Sequence, residues 1–290
     1  MSDTGGFPLA FGSSQFAGKN NRTRVQGNAW GWENLGTAPM SAAFGYRNTV
    51  SGVSAVACGS NNAIYSNLCF LFGSTNTGQG SNSACIGLNN TITSGASNAF
   101  TAGSLNTASS QNSCCLGYSN NSSNFASLSF GYSGNATKWG EIAHGCVPFL
   151  TVGDSQHGWY VANNQTTSST PTRLYLNGSQ ATQTGSMAAG ARWGVTVEIV
   201  AATTGAINKS ARFVRSFQID RPTTAASTTL VGSVQTVGTD TGTNAGTPPA
   251  GWAVSITADT TNGAPQFQVT GDTDTINWTA AIHYVQTIRV

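Results

Sequence analysis

Two regimes of hydrophobic patterning divide the chain. A glycine returns every 14 residues at Gly31, Gly45, Gly59, Gly73 and Gly87, and then, after one interval longer by two residues, at Gly103, Gly117, Gly131 and Gly145. An asparagine follows each glycine by three positions from Asn34 to Asn120, until Gly134 breaks the series. The residue before the glycine is usually apolar (Phe44, Phe72, Ile86, Leu116, Phe130), although His144 fills that place in the last copy. The residue two positions earlier is apolar as well (Val56, Phe70, Phe100, Leu128), with small residues such as Ala43, Ala57 and Ser129 between. Period-two alternation puts the apolar pair on one face of a short strand. A second apolar slot falls five residues after the glycine, at Val50, Ile64, Ile92, Ala108 and Ala136. The glycine and the Asn-Thr or Asn-Asn that follows it read as turn residues. Two short strands and two turns in each 14 residues predict one coil of a β-solenoid with a few large side chains inside it. So slim an interior buries little area against the ordering entropy of the chain. Three chains packed around an axis, each hiding a second apolar face, are therefore expected: a homotrimeric β-roll or prism.

Beyond Cys146 the glycine period stops and long alternating runs begin, at 192–202, 210–220, 228–237, 251–259, 264–271 and 275–290. Polar turns separate them, the longest at 238–251 with Pro248 and Pro249. These runs predict an antiparallel β-sandwich-like domain without helices. The chain is thus all-β, in three parts: a leader at 1–30, a solenoid shaft at 31–145 and a C-terminal β-domain at 146–290. The leader carries Lys19, Arg22 and Arg24 and reads either as an arm that docks onto a larger assembly or as a solvated terminus.

Composition sharpens this picture. Charged residues make up only 8% of the chain, and between Glu33 and Lys138 the only one is Arg47. A net charge of +2 points to no nucleic-acid partner and no anionic membrane surface. No run of 18 apolar residues spans a membrane, and the N-terminus does not read as a secretory signal, so action outside a cell would need another exit such as lysis. The six cysteines form no CxxC pair. Cys58 and Cys114 occupy slots filled elsewhere by Phe and Leu, so the cysteines read as small buried hydrophobes rather than disulfides or metal ligands.

Little catalytic material is present. Asp154, Ser155 and His157 lie close together, and His144 and His283 are the other histidines, but no nucleophile-elbow, zincin or phosphate-loop motif occurs. Asp154 and His157 read as a turn and strand start, and a non-enzymatic protein with no catalytic residue and no cofactor is expected. Asp272 and Asp274 read as a solvated hairpin turn rather than a calcium site, so no metal is expected. Trp278 alternates with Ile276 and Ala280 and belongs to the core, whereas Trp252, beside the long Pro-Gly loop, is expected to be exposed. Receptor contacts are expected on the loops at 239–252 and 260–263, with Thr239, Asp240, Trp252 and Asn262 as candidates.

Over about 115 residues, segments such as SAVACGSNNAIYS and FASLSFGYSGNA resemble the head repeats of trimeric autotransporter adhesins. The signal peptide, coiled-coil stalk and membrane anchor of that family are not seen, which argues against a bacterial surface adhesin. The segment at 140–178, with its Gly-Glu-x-Ala-His and Gly-Asp-x-Gln elements and Leu-x-Leu-x-Gly ending, resembles a module near the C-terminus of tailed-bacteriophage tail fibres. LVGSVQTV, the run from Trp252 to Gly263 and the run from Trp278 to Ile282 extend this likeness over about 150 residues. The resemblance implies a trimeric, virion-attached fibre assembled in the host cytoplasm. Its N-terminus would join other tail or baseplate proteins, and its C-terminal domain would bind a host-surface glycan or protein. The alternatives are a structural virion fibre or adaptor, such as a head fibre, without receptor binding, and, less favoured for want of an acidic cluster in the solenoid, a polysaccharide depolymerase.

Overall fold

In a computed structural model of the chain, residues 14–15, 18–23, 26–178, 184–205 and 208–289 are described. Much of the 1–30 leader, Arg24 included, lies outside the described residues. The fold is all-β: no α-helix occurs among the described residues, and the one helical element is a 3-10 turn at Ala225–Ser227. Contacts divide the chain into two compact units, Met1–Tyr132 and Ser133–Val290, a division that falls ahead of Cys146.

The glycine array forms a β-solenoid of about nine turns. Each turn has a five-residue strand, such as Val56–Ser60 or Phe70–Ser74, and a two-residue strand, such as Ala63–Ile64 or Thr77–Gly78. Equivalent strands pair in parallel, with Gly45 opposite Gly59 and Gly59 opposite Gly73. The interval with two extra residues lengthens only the connection between Thr91–Ile92 and Phe100–Ser104. On either side the ladders stay in step, with Ala84 opposite Phe100 and Thr91 opposite Thr107. Glycine is required by geometry: Gly73 has φ +113°, and a Cβ there would collide with the carbonyl oxygen of Gly87 in the next coil.

The asparagines do more than turn the chain. The residue in the left-handed region is the one before each of them, for example Arg47, Asn61 or Thr75. Asn48, Asn62, Asn76 and Asn90 are themselves buried and stack as a ladder. Asn76 Nδ2 donates to the carbonyls of Phe72 (3.0 Å) and Gly87 (2.9 Å) and to Asn62 Oδ1 (3.1 Å). Its own Oδ1 accepts the backbone N–H (3.0 Å) and side-chain amide (3.2 Å) of Asn90.

The coil interior corrects the expectation of large side chains within it. The buried strand positions are those two before each glycine, small at Ala43, Ala57, Cys85 and Cys115, with Leu71 the one larger aliphatic side chain among them. Val50, Ile64 and Ile92 meet them from the short strands, as the second slot predicts. The larger apolar residues on either side point outward. Phe70, Phe72, Ile86, Phe100 and Leu116 are each 37–45% exposed. A closed coil this small leaves room for little beyond methyl, thiol and single aliphatic side chains, so the alternation takes the opposite phase. All six cysteines are free thiols; Cys69, Cys85 and Cys115 are buried, Cys58 and Cys114 are half-buried, and Cys146 is exposed, so only part of the set fills the core.

In the second unit, antiparallel strands Ile142–Gly145, Ser155–Thr166, Ile276–Ile288, Ala191–Thr203, Ser210–Asp220 and Thr229–Thr236 lie side by side in that order. A smaller antiparallel sheet holds Thr172–Arg173, Ala264–Thr270 and Ala253–Asp259. Alternation buries Trp193, Val195, Val197 and Ile199 from one strand and Ile276, Trp278, Ala280 and Ile282 from its neighbour. They join Ile256, Phe267 and Val269 of the smaller sheet in one core.

A buried ionic node sits beside this core. Lys138 Nζ and Glu141 Oε1 lie 2.7 Å apart, with side chains 4% and 0% exposed. Glu141 also accepts the backbone N–H groups of Thr137 (2.6 Å) and Lys138 (2.9 Å) and the hydroxyl of Tyr284. The Lys138 ammonium lies 4.8 Å from the centre of the Trp193 ring and 4.9 Å from that of Tyr284.

Candidate functional site

The predicted receptor residues are spread over separate local structures. Trp252 is buried, not exposed as expected. Its backbone N–H closes a turn on Pro249 O (3.1 Å), its indole N–H donates to Asp272 Oδ2 (3.0 Å), and its ring packs 5.5 Å from Trp278. The loop thus tucks the indole inward, where a carboxylate satisfies its single donor. Asp240 accepts from both terminal guanidinium nitrogens of Arg215, at 2.6 and 2.7 Å. Thr239 is exposed. Asn262 belongs to the hairpin turn around Asp259, donating from its backbone (3.0 Å) and its amide (2.7 Å) to that carboxylate. Asp272 and Asp274 do not sit in the expected solvated hairpin turn: they lie half-buried in the connection between Ala264–Thr270 and Ile276–Ile288, strands of two different sheets, and both carboxylates hold the ammonium of Lys209, at 3.1 and 2.7 Å.

Asp154 and His157 diverge. Asp154 is buried and accepts three backbone N–H groups, from Phe149 (2.9 Å), Leu150 (2.6 Å) and Thr151 (2.7 Å). Burial alone would raise its carboxyl, but these hydrogen bonds outweigh it and hold the group below the ordinary carboxylate range. Period two places His157 on the opposite face of the strand that follows.

That outward face carries the chemistry. Along Ser155–Thr166 the outward residues begin with Ser155, His157, Trp159 and Val161 and continue through Asn163 and Gln165. Register sets Ile142 on one side of Trp159 and His283 on the other, with Thr196 beyond His283. In the next row Val161 faces Ala281, and Ala281 faces Glu198. Small residues in the middle and larger ones around them leave a cavity of about 290 Å³, lined by Ile142, Trp159, Val161, Thr196, Glu198 and His283. Glu198 is held by Arg212 at 2.5 Å. His157 stacks on Trp159 with ring centres 4.6 Å apart and meets His283 edge-on at 4.8 Å. Burial first, and then the charges of His283 and His144, lower the proton affinity of His157. The cavity can offer an aromatic wall, an imidazole, a carboxylate acceptor and a hydroxyl to a polar ligand.

Sequence reading alone passed over Trp159 and Glu198. The available signal was the alternation in SQHGWYV, which already puts His157, Trp159 and Val161 on one face. Comparison of the chain with protein-family models gives no match, and comparison with curated proteins gives none.

Proposed function

We propose that this chain is the subunit of a homotrimeric bacteriophage tail fibre, with the solenoid as spacer and an antiparallel β-sandwich-like C-terminal domain as the tip that binds a host-surface receptor, a glycan above all. One observation carries the trimer: the row of outward apolar side chains on the solenoid, repeated coil by coil on a surface whose only charged residue between Glu33 and Lys138 is Arg47. Such a face calls for a partner. Coil spacing in a second copy of the chain is identical, so side chains from neighbouring subunits meet in the same register along the whole row. Two subunits leave part of each curved face open, whereas three close around an axis. The tail-fibre resemblance of the second unit supports the virion setting, in which the leader would dock onto other tail proteins.

The tip reading draws on the cavity beside Trp159, where an indole wall and neighbouring polar groups suit a sugar ring. Three weak sites on one trimer would act together on a cell surface. Of the ten Asp and Glu residues, all except Asp3, which lies outside the described residues, are engaged by a cation or by backbone N–H groups. This supports a binding protein over a glycosidase, whose mechanism needs two carboxylates facing the bond to be cut. A structural fibre without receptor binding is the second reading, favoured by the engagement of Trp252 and Asp240 within the fold. Glycan-array binding of the full chain separates the two. Under the first reading wild type binds a defined glycan class and Trp159→Ala loses at least about tenfold in affinity, about 1.4 kcal/mol. Binding that Trp159→Ala leaves unchanged would remove the cavity from the account.

A further inference from the structure

The chain has three histidines in 290 residues, and all three converge on one face of one sheet. His144 stands opposite His157 in register. His283 lies diagonal to His157, because His157 faces Val285 while Trp159 faces His283. The Nε2 atoms of His157 and His283 are 3.4 Å apart. Two imidazole nitrogens bound about 2.0–2.1 Å from one zinc ion, at the tetrahedral angle, stand about 3.3–3.4 Å from each other. The observed gap therefore matches one edge of a coordination tetrahedron, and without a metal the same two nitrogens share one long N–H···N hydrogen bond. The Trp159 ring stacked on His157 restrains that imidazole, and His283 is open to solvent.

We propose that His157 and His283 together bind Zn²⁺ through their Nε2 atoms, with Cu²⁺ as a spectroscopic substitute that the same imidazoles can ligate. Imidazole nitrogen is a preferred donor for both ions. Among the described residues no three His, Cys, Asp or Glu side chains are already grouped to hold a metal ion, so this is a two-imidazole site completed by water. It is open and exchangeable, unlike a closed structural zinc centre. His144 and Cys146 line an adjoining cavity of about 210 Å³ with His157 and are the nearest further donors.

The test is calorimetric titration of the full-length protein with Zn²⁺ in a non-chelating buffer, alongside electron paramagnetic resonance of its Cu²⁺ complex. One ion per chain is expected, with nitrogen splitting from two imidazoles. His157→Asn and His283→Asn should each weaken binding at least about tenfold while circular dichroism stays that of wild type. His144→Asn should weaken it less. Absence of binding to wild type, or affinity unchanged in both His157→Asn and His283→Asn, overturns the site. If either variant fails to fold, the wild-type Cu²⁺ spectrum decides, and coordination by fewer than two imidazole nitrogens overturns it.

Discussion

At the scale of single residues, Asn76 shows how the solenoid satisfies a polar interior. Its amide and carbonyl serve Phe72, Gly87, Asn62 and Asn90 at once, all from a fully buried position. Asn76→Ala removes these partners without letting water replace them, at about 1–3 kcal/mol for each buried group left unpaired. A loss of at least about 3 kcal/mol of unfolding free energy is expected in a denaturant titration, and a change below about 1 kcal/mol would show that the ladder contributes little. Glu141 makes a comparable case in the second unit. Glu141→Ala strands the Lys138 ammonium in an apolar site and should cost about 3–5 kcal/mol, whereas replacing both members with apolar residues should recover much of it. Chemical denaturation of the single and double variants measures both. Buried thiols have a signature of their own: burial pushes Cys85 up to about 12, so it is inert as a thiol at neutral pH.

At the scale of elements, the hairpin around Asp259 sets an acid limit. Burial would raise its carboxyl, but Asn262 and then Arg173, at 2.6 Å, lower it below its ordinary value of 3.8. A depressed carboxylate contributes stability that is fully present above its unfolded pKa, about 3.9, and is lost as pH falls through the folded value. Thermal unfolding followed from pH 7 downward should therefore show an acid loss that is smaller in Asp259→Asn, and equal slopes in the two proteins would contradict the assignment. The elements themselves were largely legible in the sequence. Period-two runs at 192–202, 210–220 and 275–290 match strands Ala191–Thr203, Ser210–Asp220 and Ile276–Ile288 within a few residues, and the faces of Trp193 and Trp278 follow directly. The phase of the solenoid strand was not legible, because apolar size was equated with burial while the narrow coil admits the small residues instead. The site was least legible. His157 and His283 are 126 positions apart, and only cross-strand register brings them together. The place of Trp252 was not legible because a Pro-Gly loop suggests exposure, whereas the indole finds its acceptor, Asp272, in an inter-sheet connection 20 positions away.

At the scale of the whole molecule, the outward apolar row is the feature that a lone chain leaves unexplained. Ile86 and Leu116 belong to it and make no contribution to the coil interior. Replacing both with Asp should leave the far-ultraviolet circular dichroism of the coils intact and break the assembly by like-charge repulsion and desolvation, which sedimentation velocity would detect as a fall in mass. The most direct measurement is the native mass of the wild-type protein in solution, by light scattering coupled to size exclusion at micromolar concentration. A homotrimer elutes as a species of three times the 29.8 kDa chain mass, and a monodisperse 29.8 kDa monomer would contradict the proposed assembly.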